Sequence, residues 1–407
     1  TRKKEVFATT DDITDVIKDS SNNVASKIKT TYEYMTADSI PIREVVKVVE
    51  DPDNHKLTTT TDWYIDPGCN PGSCGKIELR ENPDGSWVRY EYDSQGRISV
   101  EISSWLDAQK DSIASSARAL YYDYNSQHAE DAELPEDVRR PRKITEEILG
   151  EVVSATYFVY KVESNGSLTT IVEKAATPTS AYADSGNLRT TTTTYPPSDE
   201  FRAWRPHVVT YPDGRREEYV YEKGTYTPTP NQKGTFVYDG FGPDEAIHIY
   251  HGTTANPSGI AYKTTRERIV RNNVGEVLEE KEYAFDGGGN QEISWTVHEY
   301  DDHGNRAKTT RSNGKQSESV WSCCDAKTET DECGIITDYD YDSLGRVETI
   351  TKHANPEDIE TSYTYDSAGR QESVTKTSDT LTYVTTQNYD SAGRIDDSTD
   401  ESGLVTD

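Results

Sequence analysis

The sequence predicts an all-β protein, an elongated or spiralling antiparallel sheet of tandem β-hairpins, and three observations predict it. The string YDYDSLGRVETITK returns as YTYDSAGRQESVTK and again as QNYDSAGRIDDSTD, so that Gly345, Gly369 and Gly393 fall 24 residues apart. A fixed period of this kind marks a repeat architecture. Within each unit Tyr339 and Tyr341, Tyr363 and Tyr365, and lastly Tyr389 stand on the alternating positions of a strand. The residues after them, such as Asp342, Ser343, Leu344 and Gly345, supply a turn acceptor and a residue that accepts positive φ. Finally, 27 tyrosines stand in a chain that is only 32% hydrophobic, and Tyr, Thr and Val suit a half-buried pleated surface.

A net charge of −30 and a mean hydropathy of −0.86 would by themselves suggest disorder. The aromatic content argues otherwise. Too few Leu, Phe and Met are present for a thick two-layer core, so cross-strand pairs on a buried tyrosine face are expected to hold a single curved sheet together. If that face is buried, truncating Tyr365 to alanine should cost about 3 kcal/mol or more. The length of 407 residues allows two or three domains, but the repeat favours one continuous β body. Its expected regions are 1–177 with degenerate hairpins, 178–320 with degenerate repeats, and 321–407 with regular ones.

Acidity weighs against a nucleic-acid partner, because phosphate binding needs a basic surface, and against anionic membranes too, so neither is expected. No apolar run approaches the roughly 20 residues of a membrane helix. Thr1 is not an initiator residue, so the chain reads as a processed or excised piece with any targeting segment upstream.

From the start to about Asn125 the chain reads as Thr- and Val-rich strands, with Asp51 and Pro52 opening a turn. In GCNPGSCG, Cys69 and Cys74 flank four residues containing Pro and Gly, and an extracellular setting favours a disulfide there. Two free thiols are the alternative, and a zinc site lacks a second ligand pair. The phrase YEYDSQGR at 90–97 repeats the motif with Gly96 in the turn slot, and YPDGRREEYVYEKG at 211–224 carries it on in worn form. Residues 103–124 hold either a helix, since Ala, Leu and Ile lie near helical spacing, or a strand with an insertion. Charged residues 126–143 read as an exposed loop. ATYFVYKV and SLTTIVEK flank an Asn165-Gly166 hairpin turn that is formally also a glycosylation sequon with Ser167. From Pro178 to Gly275 the strands are expected to be short and the turns frequent.

The motif Tyr-x-Tyr-Asp-x-x-Gly-Arg at 339–346, 363–370 and 387–394, with Gln387 in place of the first tyrosine, is similar to that of the YD-repeat, or RHS-repeat, family. The family includes bacterial polymorphic-toxin carriers, insecticidal toxin-complex shells and the extracellular domains of teneurins. The resemblance implies a long antiparallel sheet forming a hollow shell or a β-rich stalk, and no catalytic residues in the repeats themselves. In WSCCDAKTETDECG, Trp321 and the pair Cys323-Cys324 take the slot that Tyr and Asp fill elsewhere. An adjacent cysteine pair marks the same junction in some bacterial YD-repeat proteins. A bridge from Cys324, or Cys323, to Cys333 across a polar turn is expected, with a vicinal bridge as the strained alternative and redox or metal chemistry ranked below both.

The remaining motifs that might carry chemistry fall on hairpins. His298 and His303 are spaced one residue too far apart for a zinc-protease helix. Asp338, Asp340 and Asp342 open like a calcium loop, but Ser343 and Thr349 stand at its sixth and twelfth positions. His248 and His251 fall on opposite faces of a strand. FDGGGN at 285–290 lacks the Lys and helix of a phosphate cradle and reads as a turn.

No catalytic, metal or cofactor residues are therefore assigned, and no cofactor is expected. The expected function is architectural and non-enzymatic, at the cell surface or outside the cell: a section of YD-repeat shell, stalk or fibre. An adhesin that binds a glycan or a surface protein through exposed aromatics is the alternative. A toxin carrier ranks third, for want of a cargo domain or an Asp-Pro-rich closing segment. ESGLVTD at the end matches ECGIITD before YDYDSLGR, so completion of the last strand by a longer polypeptide, or by another copy head to tail, is also expected.

Overall fold

The structure, a computed structural model, describes residues 3–8, 11–18, 24–125, 139–253, 263–285, 290–322, 324–354, 356–379, 381–390, 392–400 and 402–406. Among the described residues there are thirty β-strands, one turn of 3-10 helix at Ala114–Ser116 and no α-helix. Neighbouring strands pair antiparallel as hairpins. Among the described residues no helix is long and apolar enough to cross a membrane.

Residues 103–124 resolve the choice between helix and insertion in favour of the insertion. Ile98–Ser103 and Arg118–Asp123 are strands of one pair, and the connecting residues loop out between them. The loop turns inward on the apolar cluster of Leu79, Trp87, Ile102, Ala117 and Ala119. Helical spacing of Ala, Leu and Ile is outweighed there by cross-strand pairing on either side. The hairpin Glu151–Val162 with Leu168–Lys174 turns at Gly166, φ +85°. Residues 126–138 of the expected charged loop, and the glycines 287–289, lie outside the described residues.

The chain forms two compact units. One comprises Thr1–Tyr122, Glu146–Glu151 and Ile335–Asp407, and the other Asp123–Thr145 and Val152–Gly334. The first unit therefore joins the regular repeats to the N-terminal strands. Residues 51–56 form a turn between Ile40–Glu50 and Leu57–Trp63, with the Lys56 amide donating to the Asp51 carbonyl at 2.9 Å. That turn rests on a repeat turn more than three hundred residues away. Ser367 Oγ donates to Asp51 Oδ2 at 2.8 Å, and Asp51 is only 4% exposed.

In the second unit the cluster of Tyr195, Tyr221 and Ile247 is the apolar centre. Its strands are not uniformly short, for Arg215–Thr229 runs fifteen residues. The first ten pair with Asp244–Thr253, and from Gly224 onward the strand pairs with Gln232–Tyr238 instead. Gly224, the last residue of the worn repeat phrase at 211–224, is the point where partners change. A Cβ there would sit 2.2 Å from the Val237 carbonyl oxygen, so only glycine fits the crossing.

Candidate functional site: the joint between repeats

Each residue of the repeat motif has a definable task. In the turn at 342–346, the Gly345 amide donates to the Asp342 carbonyl at 3.0 Å and the Asp342 amide to the Arg346 carbonyl at 2.8 Å. Gly345 takes φ +80°, as Gly96, Gly369 and Gly393 take +78°, +86° and +85°. Asp342 Oδ1 accepts the amides of Leu344 at 2.8 Å and Arg346 at 3.0 Å, while Oδ2 accepts Arg346 Nε at 2.7 Å. Asp366 with Arg370, Asp390 with Arg394 and Asp93 with Arg97 repeat that pattern. Burial works to raise the Asp342 pKa, but these amides and the guanidinium more than offset it and hold the carboxyl below its usual range.

The tyrosine of the following unit completes the joint. A register shift falls directly before Tyr92, Tyr300, Tyr341, Tyr365 and Tyr389 alike, and a bulge re-aims the side chain beside it. Tyr365 Oη thereby donates to the Val347 carbonyl at 2.7 Å, and Tyr389 Oη to that of Gln371 at 2.8 Å. Arg346 and Arg370 lie over those two rings, each 4.3 Å from the centroid. So one guanidinium closes its own turn and covers the next repeat's tyrosine, a cation–π contact.

Worn units keep the same joint. Tyr92 Oη donates to the Ile77 carbonyl at 3.0 Å under the Lys76 ammonium, and burial with neighbouring tyrosines pushes its pKa up to about 12. Tyr300 Oη donates to Val277 at 2.9 Å, and Trp321 Nε1 to Arg306 at 2.8 Å, so the indole does occupy the tyrosine slot. All five predicted tyrosines, 339, 341, 363, 365 and 389, are half-buried and not buried as the sequence suggested.

Cys69 and Cys74 form a disulfide with Cα atoms 5.1 Å apart. The loop they close packs on the 93–97 turn, where a Cβ on Gly72 would stand 1.9 Å from the Asp93 carbonyl oxygen, and just after the loop Lys76 Nζ reaches the Gly96 carbonyl. The expected bridge to Cys333 is not made. Cys333 is an exposed free thiol whose amide donates to Asp331 Oδ1 at 2.7 Å in the turn after Ala326–Thr330. Cys324 lies before that strand. The five-residue strand between them spans roughly 17 Å, whereas a disulfide needs Cα atoms within about 7 Å. Cys323 lies outside the described residues.

His298 lies in the strand Asn290–Tyr300 and His303 in the turn that follows, with its amide on Asp301 Oδ1 at 2.8 Å. Asp338 and Asp340 lie on a strand, while Asp342 caps its turn. His248 approaches Glu222 at 3.1 Å, and His251 approaches Glu267 at 3.2 Å. No group of these residues converges as metal ligands; among the described residues only Asp66 with the disulfide pair Cys69 and Cys74 does.

In the second unit, residues 224–238 form an arm that the sequence did not announce. Its Gly234 amide donates to Glu279 Oε2 at 2.9 Å, and Lys233 pairs with Glu292 at 2.6 Å. Glu279 is fully buried, with Lys281 Nζ 3.1 Å away. A cavity of about 510 Å³ lies against the arm, its walls including Tyr226, Asp244, Glu276 and Tyr300. At the end of the arm and beside it, Tyr238 and Phe241 are 67% and 91% exposed.

No protein-family model and no curated protein matches the sequence. Solved structures similar to it include a crystal structure of TcdB2-TccC3-Cdc42, at 9% identity and a TM-score of 0.41, covering 96% of this chain and 22% of that one. One of TcdB2-TccC3 has 12% identity and a TM-score of 0.36, with the same two coverages of 96% and 22%. The chain thus spans about a fifth of the length of these two. A porin-like protein from Bacteroides uniformis, at 13% identity and a TM-score of 0.25, is covered over 95% of its length by 68% of this chain. Likenesses at these scores decide nothing about function.

Proposed function

We propose that the chain is an architectural, non-enzymatic section of a β-hairpin repeat body displayed at the cell surface or outside the cell. The observation that supports this is the joint itself. The same tyrosine-to-carbonyl bond beneath a cationic side chain recurs at Tyr92, Tyr365 and Tyr389. Each repeat is thereby bound to the one before it, which is how a stack of hairpins gains length without a deep core. Its partners are further hairpins of the same kind, in a longer polypeptide or another copy.

Electron microscopy of the 407-residue protein tests the reading: rigid particles of uniform dimensions are expected, as a shell section or a rod. Flexible, heterogeneous chains would sink it. A binding role is the second reading, favoured by Val237, Tyr238 and Phe241, all more than half exposed on and beside the arm. In a glycan array, Phe241→Ala should abolish any signal that belongs to this patch, and an unchanged signal would exclude it.

A further inference from the structure

The cavity against the arm holds carboxylates and no cation. Asp244, Glu276 and Glu299 line it, with the rings of Tyr226 and Tyr300 and the apolar side of Pro228. No Lys or Arg is among its walls. Asp244 is only 8% exposed; its Oδ2 accepts the Tyr226 amide at 2.7 Å, and its Oδ1 has no hydrogen-bond partner among the described residues. Elsewhere in the same unit buried or half-buried acids are matched: Glu245 by Arg205, Glu173 by Arg189, Glu279 by Lys281. None of the three cavity carboxylates has an ion-pair partner among the described residues. A carboxylate largely removed from water without a counter-charge is costly, and Asp244 borders a space large enough for a small molecule.

His298 also lines the space, and burial holds its pKa down, so it adds no positive charge near neutral pH. A bare divalent ion does not fit, since it needs six or more oxygens gathered closely and these carboxylates do not converge within ligand distance of one another. Aromatic faces and apolar walls with an unmatched negative charge suit an ammonium carried on an organic skeleton.

We propose that this cavity binds a small organic cation, its ammonium group held by Asp244 and Glu276 and covered by the ring of Tyr226 or Tyr300. The proposal does not depend on the architectural reading, because a wall of a repeat body needs no occupant there.

Calorimetric titration of the 407-residue protein with choline chloride, against sodium chloride of equal ionic strength, tests it. Saturable one-to-one binding is expected. The neutral isostere 3,3-dimethyl-1-butanol should bind about ten-fold more weakly, and Asp244→Asn should weaken choline by about ten-fold. Circular dichroism checks that this variant folds. If it does not, Glu299→Gln at the exposed rim serves instead, with a two- to three-fold loss expected, roughly the worth of a rim charge. No saturable binding at millimolar choline, equal affinity for the isostere, or displacement by calcium at lower concentration would each overturn the proposal.

Discussion

The guanidinium of Arg346 lies 4.3 Å from the ring centroid of Tyr365, and the hydroxyl of that tyrosine donates to the carbonyl of Val347, the residue beside the arginine. Two neighbouring residues of one repeat thus hold a single side chain of the next, and both contacts recur at Arg370 and Tyr389.

The joint is expected to be energetically coupled. Tyr365→Phe should cost about 1 kcal/mol by removing the hydrogen bond. Tyr365→Ala should cost about 2 kcal/mol, below the loss for a fully buried ring because this one is half-buried. In a double-mutant cycle with Arg346→Ala, denaturant unfolding should give an interaction term of about 0.5–1 kcal/mol. Strict additivity would mean that the stacking contributes nothing.

Gly345 has φ +80° and nothing within 4 Å of a built Cβ. A substitution there meets backbone strain alone. Gly345→Val should destabilise by roughly 1–3 kcal/mol and Gly345→Asn by clearly less, since asparagine tolerates the left-handed region. Equal losses for the two would show that something other than φ is at stake.

Asp93, Asp342 and Asp390 all titrate below the usual carboxylate range. A depressed folded-state pKa contributes stability that is present above the unfolded value, about 3.9, and is lost as pH falls through the folded value. Protonation of many other acids also relieves repulsion in this acidic chain, so the comparison with a variant is the decisive one. Asp342→Asn should melt well below the parent at pH 7, and the gap should narrow as pH falls below about 4. A gap that stays constant with pH would contradict the role given to the charged form.

Cys69 and Cys74 close a short loop, their separation being five residues. Chain entropy for a loop of that size gives about 2 kcal/mol, so paired Cys69→Ser and Cys74→Ser should lower the unfolding free energy by that order. Hydrogen exchange should then rise first at Asp93–Arg97, the turn on which the loop packs. Loss spread evenly over the chain would argue against that local role.

The turns were legible in sequence because their chemistry is local. An Asp that caps amides two and four residues on, and a Gly with positive φ, need no distant partner. The joint was legible only by half: Tyr and Arg were visible, but a one-residue bulge beside each tyrosine leaves no residue type behind and decides where the ring points. The recurrent motif marks the position, and only the register explains it. Cys324 and Cys333 misled for a related reason, since five residues read as a polar turn are an extended strand.

By itself, then, the sequence determined the all-β class, the 24-residue period, the turn glycines and the place of Trp321 in the tyrosine slot, because alternation and turn chemistry act within a few residues. Tertiary structure alone decided that Ser367 meets Asp51, 316 residues away, and that Arg215–Thr229 changes partner at Gly224 to throw an arm across Glu279. Such contacts depend on which hairpins come to lie side by side, and the local pattern of a repeat, being nearly the same in every unit, does not distinguish one neighbour from another.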